Sequence, residues 1–249
     1  MKRNAIFGLL VVFLAFNFIF IGCDNSYKEP NEETENNISE VLSGEYDYNA
    51  NDELTNYYEY EYDSKRNQIK RKYYNANGEL TGYLEYEYDS KGNQIKWESY
   101  NANGVLTNYY EYEFDSKGNQ IKRKIYNANS DLVQYDEYEY EYDSKGNMIK
   151  QSIYNANGEL TGYLEYEYDS KGNQIKWESY NANGELTGYY EFEYDSKGNM
   201  IKQSIFNVNG VLTSYYESEF DSKGNRIKLI TYNANGSLRG YRIFIYIVV

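Results

Sequence analysis

A motif that returns every 26 residues constrains this chain more than any other feature. The aspartate of Asp-Ser-Lys stands at Asp63, Asp89, Asp115, Asp143, Asp169, Asp195 and Asp221. The first asparagine of Asn-Ala-Asn-Gly and its variants stands at Asn49, Asn75, Asn101, Asn127, Asn155, Asn181, Asn207 and Asn233. Both series step by 26, with a single step of 28 in the middle. Self-similarity at this spacing marks a repeat architecture, in which one supersecondary unit is copied and buries its neighbours.

Between the motifs lie stretches such as Gly82-Tyr83-Leu84-Glu85-Tyr86-Glu87-Tyr88 and Gln94-Ile95-Lys96-Trp97-Glu98-Ser99-Tyr100. They alternate with period two and are rich in aromatic and branched residues, which is the pattern of a β-strand. The two motifs are turn chemistry, with Asp or Asn opening the turn and Gly free to go left-handed. Each repeat is therefore strand, turn, strand, turn. Read as a four-residue loop, Asp89–Gly92 sets Tyr86 opposite Ile95, Leu84 opposite Trp97 and Glu85 opposite Lys96. The same reading of Asn101–Gly104 sets Ile95 opposite Tyr110. Face one then carries Leu84, Tyr86, Tyr88, Ile95, Trp97, Leu106 and Tyr110, and face two carries Glu85, Glu87, Lys96, Glu98 and Tyr109. The insertion in 131–142 is two residues long, so it keeps the faces apart where a single residue would swap them.

The count is about sixteen antiparallel strands, an all-β fold of hairpin repeats. Laid flat they would span roughly 75 Å, and because sheets twist the expectation is a spiral, a solenoid or a rolled sheet. The last stretch, Tyr241-Arg242-Ile243-Phe244-Ile245-Tyr246-Ile247-Val248-Val249, loses the glutamates and reads as a covered last strand or as an edge that pairs with another copy.

Composition removes most familiar chemistry. The chain has 34 tyrosines, one cysteine, one proline and no histidine, with 39 acidic against 25 basic residues. Without histidine there is no imidazole base and no Ser-His or Cys-His nucleophile. A net charge of −14 opposes nucleic acid. The Asp-Ser-Lys-Gly loops lack the spaced acids of a calcium loop and read as plain turns, so neither a metal nor another cofactor is expected. The paired glutamates recur along a solvated face, where nothing sets one carboxylate apart from its neighbour as acid-base catalysis requires. The reading is non-enzymatic.

The chain opens with Lys2 and Arg3 and the apolar run Ala5 to Ile21, the layout of an export signal. Phe20-Ile21-Gly22-Cys23 resembles the bacterial lipoprotein signal. That resemblance implies cleavage after residue 22, acyl chains such as palmitate on Cys23, and a place at the cell membrane or outer membrane, facing the cell exterior in the display reading. The expected organisation is a signal peptide over 1–22, a lipidated cysteine with a flexible acidic tether over 23–42, and the repeat domain over 43–249. The sequence Tyr-Asp-x-x-Gly-Asn after a Tyr-x-Tyr strand, as in Tyr86-Glu87-Tyr88-Asp89-Ser90-Lys91-Gly92-Asn93, resembles the YD repeats of bacterial RHS proteins, and implies a β-sheet shell. Asn181-Ala182-Asn183-Gly184-Glu185-Leu186-Thr187-Gly188-Tyr189 is also similar to the choline- and glucan-binding repeats of Gram-positive surface proteins.

One position varies while its surroundings are copied. Arg71, Trp97, Arg123, Gln151, Trp177, Gln203 and Leu229 occupy the same place in successive repeats. In the register above they cross to small or polar residues such as Gly82, Asn108, Gly162, Gly188, Ser214 and Gly240, so a large side chain covers a small one. The competing reading is a groove in which Trp97 and Trp177, with Tyr86, Tyr110, Tyr166 and Tyr190, stack on a sugar or peptide. The expected function is a lipid-anchored protein that displays a Tyr-rich repeat domain for binding or adhesion to a protein or glycan partner at the cell envelope. A carbohydrate-binding module is the alternative. A sixteen-strand outer-membrane barrel fits the count, but face one is too polar for lipid and both loop sets are short.

Overall fold

The computed structural model describes residues 40–248. The export segment, Cys23 and nearly all of the tether lie outside the described residues. Sixteen strands follow one another: β1 (Glu40–Asn49), β2 (Leu54–Tyr62), β3 (Gln68–Asn75), β4 (Leu80–Tyr88), β5 (Gln94–Asn101), β6 (Leu106–Phe114), β7 (Gln120–Asn127), β8 (Leu132–Tyr142), β9 (Met148–Tyr154), β10 (Leu160–Tyr168), β11 (Gln174–Asn181), β12 (Leu186–Tyr194), β13 (Met200–Asn207), β14 (Leu212–Phe220), β15 (Arg226–Asn233) and β16 (Leu238–Val248). Each pairs antiparallel with its sequence neighbours, and β16 returns to β1, so the sheet is a closed barrel. The spiral and the solenoid are thereby corrected. The last strand is neither an outer cover nor a free edge, because its backbone is paired with β1 from Glu40↔Val248 to Asn49↔Gly240.

The turns are tighter than four-residue loops. The Asp89 amide donates to the Asn93 carbonyl at 2.9 Å and the Gly92 amide to the Asp89 carbonyl at 3.1 Å. The Asp89 carboxylate accepts from the amides of Lys91 and Asn93 and from the Asn93 side chain. Asn101 acts in the same way toward Asn103 and Val105. Gly92 and Gly104 sit at φ 89° and 76°, where an L side chain is strained and glycine is not. Each connection is thus a three-residue hairpin loop ending in a left-handed residue.

Next to each turn the ladder slips by one residue. Glu87 faces Lys96 but Tyr88 faces Gln94, and Ser99 faces Asn108 but Tyr100 faces Leu106. The tighter turn and the bulge together displace the expected register by two. Tyr86 faces Trp97, Leu84 faces Ser99 and Glu85 faces Glu98. Because the displacement is even, Tyr86 and Trp97 keep their shared face. Ile95 and Leu106 do not keep theirs, since Ile95 is the unpaired residue of one bulge and Leu106 lies beyond another, and each turns to the other side. The equivalents Ile69, Ile149, Ile175, Ile201 and Ile227 are accordingly 36 to 38 % exposed. Ile149 shares a shallow outer depression with Lys150, Glu165, Glu167 and Lys176.

Face one is the inside. Leu84, Tyr138, Trp177 and Phe192 are the most buried apolar side chains, each at 8 % exposure. Face two, with its glutamates and lysines, is the outside. There Tyr83 stacks on Tyr100 at 4.7 Å, Tyr109 on Tyr126 at 4.5 Å and Tyr163 on Tyr180 at 4.7 Å. Lys70 and Lys150 lie over the rings of Tyr83 and Tyr163, and Lys70 also pairs with Glu85 at 2.9 Å. Contacts of this kind contribute a few tenths of a kcal/mol each and gain by repetition. The 28-residue repeat is absorbed within β8, where Asp136 faces Arg123 and Tyr140 faces Gln151 without a change of face.

The turn aspartates make the barrel acid-sensitive. Hydrogen bonds, led by that from the asparagine side chain four residues on, hold the carboxyls of Asp63, Asp89, Asp115, Asp143, Asp169 and Asp195 below the usual range. A depressed folded value contributes stability above the unfolded value, about 4, that is lost as pH falls through the folded one. Circular-dichroism melts should give a flat Tm from about pH 7 to about pH 5 and a falling Tm below about pH 4; an unchanged Tm into that range would refute this role for the turns.

Candidate functional site: the inner wall

Sixteen strands spaced about 4.8 Å apart and tilted about 40° close into a ring roughly 30 Å across. Two sheets pressed together about 10 Å apart would interdigitate and seal their facing side chains. Among the described residues no large side chain is sealed in this way. The barrel is therefore hollow, and its inner wall is the concave surface of the molecule.

Two aromatic groups stand on that wall. Trp97 on β5 lies between Tyr86 on β4 and Tyr110 on β6. Its ring stacks on Tyr110 at 4.0 Å and 12°, and its Nε1 donates to the Tyr112 hydroxyl at 2.7 Å. Trp177 on β11 lies in the same way between Tyr166 and Tyr190, stacking on Tyr190 at 4.2 Å. Tyr166 donates to Gln151 Oε1 at 3.0 Å. All six proposed stacking residues thus face inward, as two triplets on separate parts of the wall.

The expected pairing of the variable position with small residues is corrected. Arg71 faces Leu84, Trp97 faces Tyr110, Trp177 faces Tyr190 and Gln203 faces Tyr216. Gly82 lies two residues further toward the rim on β4, opposite Tyr73, where an added Cβ would come 2.7 Å from the Tyr100 carbonyl oxygen. Its smallness serves backbone approach at the bulge.

A charged cluster holds the seam between the two chain ends. Arg242 on β16 donates from Nε to Asp47 Oδ1 at 2.5 Å, from one terminal nitrogen to Asp47 Oδ2 at 2.9 Å and from the other to Glu45 Oε2 at 2.7 Å. Arg71 on β3 reaches the same Glu45 oxygen at 3.2 Å. The Tyr58 ring lies beneath both guanidiniums, 4.5 and 4.9 Å from them, and its hydroxyl donates to Asp47 at 2.8 Å. Burial alone would lower the Arg242 pKa, but the bond to Asp47 and the charge of Glu45 outweigh it and hold the group above its usual range. A second pair, Arg123 with Asp136 at 2.6 Å, is joined by Gln134. The signal for the seam cluster was present in the sequence: Glu45, Asp47 and Arg242 occupy face-one positions of the first and last strands, and no other copy places an acid at the positions of Glu45 and Asp47.

No protein-family model matches the chain, and no curated protein matches it in sequence. Among solved structures it is similar to a porin-like protein from Bacteroides uniformis, with 9 % identity, a TM-score of 0.51, and coverage of 85 % of this chain and 98 % of that one. A porin-like protein from Bacteroides vulgatus gives 10 % identity, a TM-score of 0.43 and coverage of 84 % and 99 %. The Tc holotoxin pore of Photorhabdus luminescens gives 15 % identity and a TM-score of 0.33; the match covers 76 % of this chain and only 12 % of the toxin chain. Identity this low speaks for the fold alone, and the first of these matches the closed antiparallel barrel.

Removing Arg242 leaves the buried Glu45 and the half-buried Asp47 short of a partner, a change that costs about 3 kcal/mol. Urea unfolding of Arg242→Met should show that loss, while Lys197→Gln, in an outer turn, should stay within about 0.5 kcal/mol of the parent. Equal midpoints would show that the seam does not depend on the cluster. At the other end of the pH scale, burial pushes the hydroxyls of Tyr58, Tyr62 and Tyr112 up to about 12, whereas unfolded tyrosine ionises near 10. The folded barrel keeps protons that the unfolded chain has lost, so stability falls as pH rises above about 10. A late rise in tyrosinate absorbance that coincides with loss of the β-sheet dichroism is the expected observation; complete ionisation with the dichroism intact would contradict it.

Proposed function

We propose that this chain is a non-enzymatic lipoprotein, anchored through Cys23, whose repeat barrel stands in water at the cell envelope and binds a partner on its inner wall. The observation that carries the reading is the reversal of the wall. The outward positions of mid-strand are Lys70, Lys96, Lys122, Lys150, Lys176, Lys202 and Lys228 on one set of strands, and glutamates such as Glu85, Glu111, Glu165, Glu191 and Glu217 on the other. A basic residue on the lipid face of a membrane barrel costs about 2–4 kcal/mol at the midplane, and this wall repeats that cost around its whole girth. Membrane attachment then falls to lipid. Two acyl chains on Cys23 anchor stably where one would not, and residues 24–39 supply the tether. The chain enters the barrel at the rim of Asp-Ser-Lys turns, where Glu40 accepts from Lys223 at 2.6 Å and from Asn225 at 3.0 Å.

The carbohydrate-binding reading is favoured by one specific observation. Trp97 and Trp177, the two tryptophans of the chain, both lie on the inner wall beside tyrosines, and flat amphipathic rings suit the faces of sugars.

Cells fed an alkyne fatty acid should incorporate label into the parent protein and none into Cys23→Ala. The parent should fractionate with membranes, and residues 24–249 exported behind an ordinary cleavable signal should be released without detergent. If residues 24–249 still need detergent, the barrel itself holds the membrane, and the reading would fall.

A further inference from the structure

The copies share part of their outer face and differ at several places on the inner wall. Outward positions repeat lysine from Lys70 to Lys228 and tyrosine from Tyr83 to Tyr241, while the outward place of Lys72 holds Glu98, Lys124, Ser152, Glu178, Ser204 and Ile230 in the other copies. Inward positions change from copy to copy. Below the rims, the inward-facing charged side chains among the described residues are Glu45, Asp47, Arg71, Arg123, Asp136, Arg226 and Arg242, four cations against three anions inside a chain whose net charge is −14. Six of the seven are accounted for by the seam cluster and the Arg123–Asp136 pair. Arg226 remains.

Arg226 opens β15 at a position that other copies give to Gln68, Gln94, Gln120, Met148, Gln174 and Met200. It pairs with Phe220 across the ladder, and its guanidinium lies 5.7 Å from that ring. The Tyr246 hydroxyl donates to its carbonyl at 3.1 Å. Its Nε is shut off from solvent and has no hydrogen-bond partner, and among the described residues its side chain makes no ion pair. Burial lowers its pKa. The carboxylate whose charge reaches it, Glu45, already takes hydrogen bonds from Arg71 and Arg242. The result is an uncompensated guanidinium on the hollow side of the wall, set among aromatic rings.

We propose that Arg226 is the anion-binding point of the lumen, and that the lumen takes an acidic oligosaccharide whose carboxylate pairs with Arg226 while its sugar rings lie on the tyrosines and tryptophans of the wall. This rests on the inner wall being the binding surface. Guanidinium is the side chain suited to this task, because its planar fork holds a carboxylate through two parallel hydrogen bonds. The hollow bore favours an extended ligand over a compact one, and the scattered aromatic triplets favour a chain of sugars over a single ring.

The test titrates the full chain with a uronic-acid hexamer, with a neutral glucose hexamer and with hexaglutamate, following tryptophan fluorescence and heat. The expected result is binding of the uronic-acid hexamer that weakens with added salt, with the neutral hexamer and the peptide each at least tenfold weaker. Arg226→Gln, which restores the residue of the other copies, should lose at least tenfold for the uronic-acid hexamer while melting as the parent does. Lys197→Gln on the outer turn should leave the affinity unchanged. Equal affinity of Arg226→Gln and parent, or equal binding of both sugar hexamers, would overturn the anion site and leave the lumen as the binding surface. Hexaglutamate binding as tightly as the sugar acid would overturn the glycan assignment. Absence of binding by either sugar would overturn both the site and the lumenal reading.

Discussion

Closure depends on a bulge beside the turns. All sixteen strand pairings carry a register shift, and in the hairpins it falls within two residues of a loop. A bulge bends its strand and adds right-handed twist, and a regular series of them is a means by which a sheet is curved into a barrel. Without that curvature sixteen hairpin-linked strands would stay a broad open sheet with two exposed edges. With it, β1 and β16 meet, and the seam between them is the one pairing in the barrel that no hairpin turn supplies. Arg242 with Glu45 and Asp47 stands at that seam, where a charge-assisted contact specifies which strand must pair with which.

Bulging also decides what water sees. The bulge near each Asp-Ser-Lys turn moves Ile95 and its equivalents outward, and the one near each Asn-Ala-Asn-Gly turn does the same for Leu106. Mid-strand, where pairing is regular, outward positions carry Lys and Glu under a lattice of stacked tyrosines. Inward positions carry aromatic rings and a few paired charges. A membrane barrel partitions its residues the other way, with an apolar band outward and a polar lumen. Likeness of fold to a porin-like protein therefore speaks for the ring of strands and not for what surrounds it, because topology fixes the ring and side chains fix its surroundings.

Much of this was legible in the sequence. The period gave the number of strands, alternation gave the two faces, and the two-residue insertion gave the constancy of those faces through β8. Asp, Asn and Gly gave the turns. The register was not legible from residue counting alone, because the same Asp-Ser-Lys-Gly-Asn string serves a four-residue loop or a three-residue loop followed by a bulge. The φ of Gly92 and the double grip of the Asp89 carboxylate on Lys91 and Asn93 choose the second. Closure was hidden for a different reason. Copied hairpins describe only neighbour contacts, and the long-range contact of β1 with β16 rests on single departures from the repeat: Glu45, Asp47 and Arg242. The inward placement of Tyr86, Tyr110, Tyr166, Tyr190, Trp97 and Trp177 follows from alternation, but which face is inside follows only from the direction in which the sheet curls.

Those departures point to how such a barrel divides its labour. A hairpin copied with its bulges, tyrosine stacks and lysine–glutamate contacts reproduces the curvature that closes the ring, so the turns, the bulges and the stacked tyrosines recur from copy to copy. The inner wall of a hollow ring carries no such requirement. A side chain there meets its ladder neighbours and the bore, with no opposing sheet to fit, and large exchanges such as Arg71, Trp97, Gln151 and Leu229 at one position are accommodated without a matching change across the barrel. A packed sandwich would not allow this, since each exchange would leave a void or a clash with an energetic cost. Variation on the inner wall is thus both permitted by the hollow geometry and placed where a ligand would meet it. The same geometry explains why Arg226 can stand unpaired: an open bore lets water or an anion reach the guanidinium, whereas a closed core would have required a partner from the chain itself.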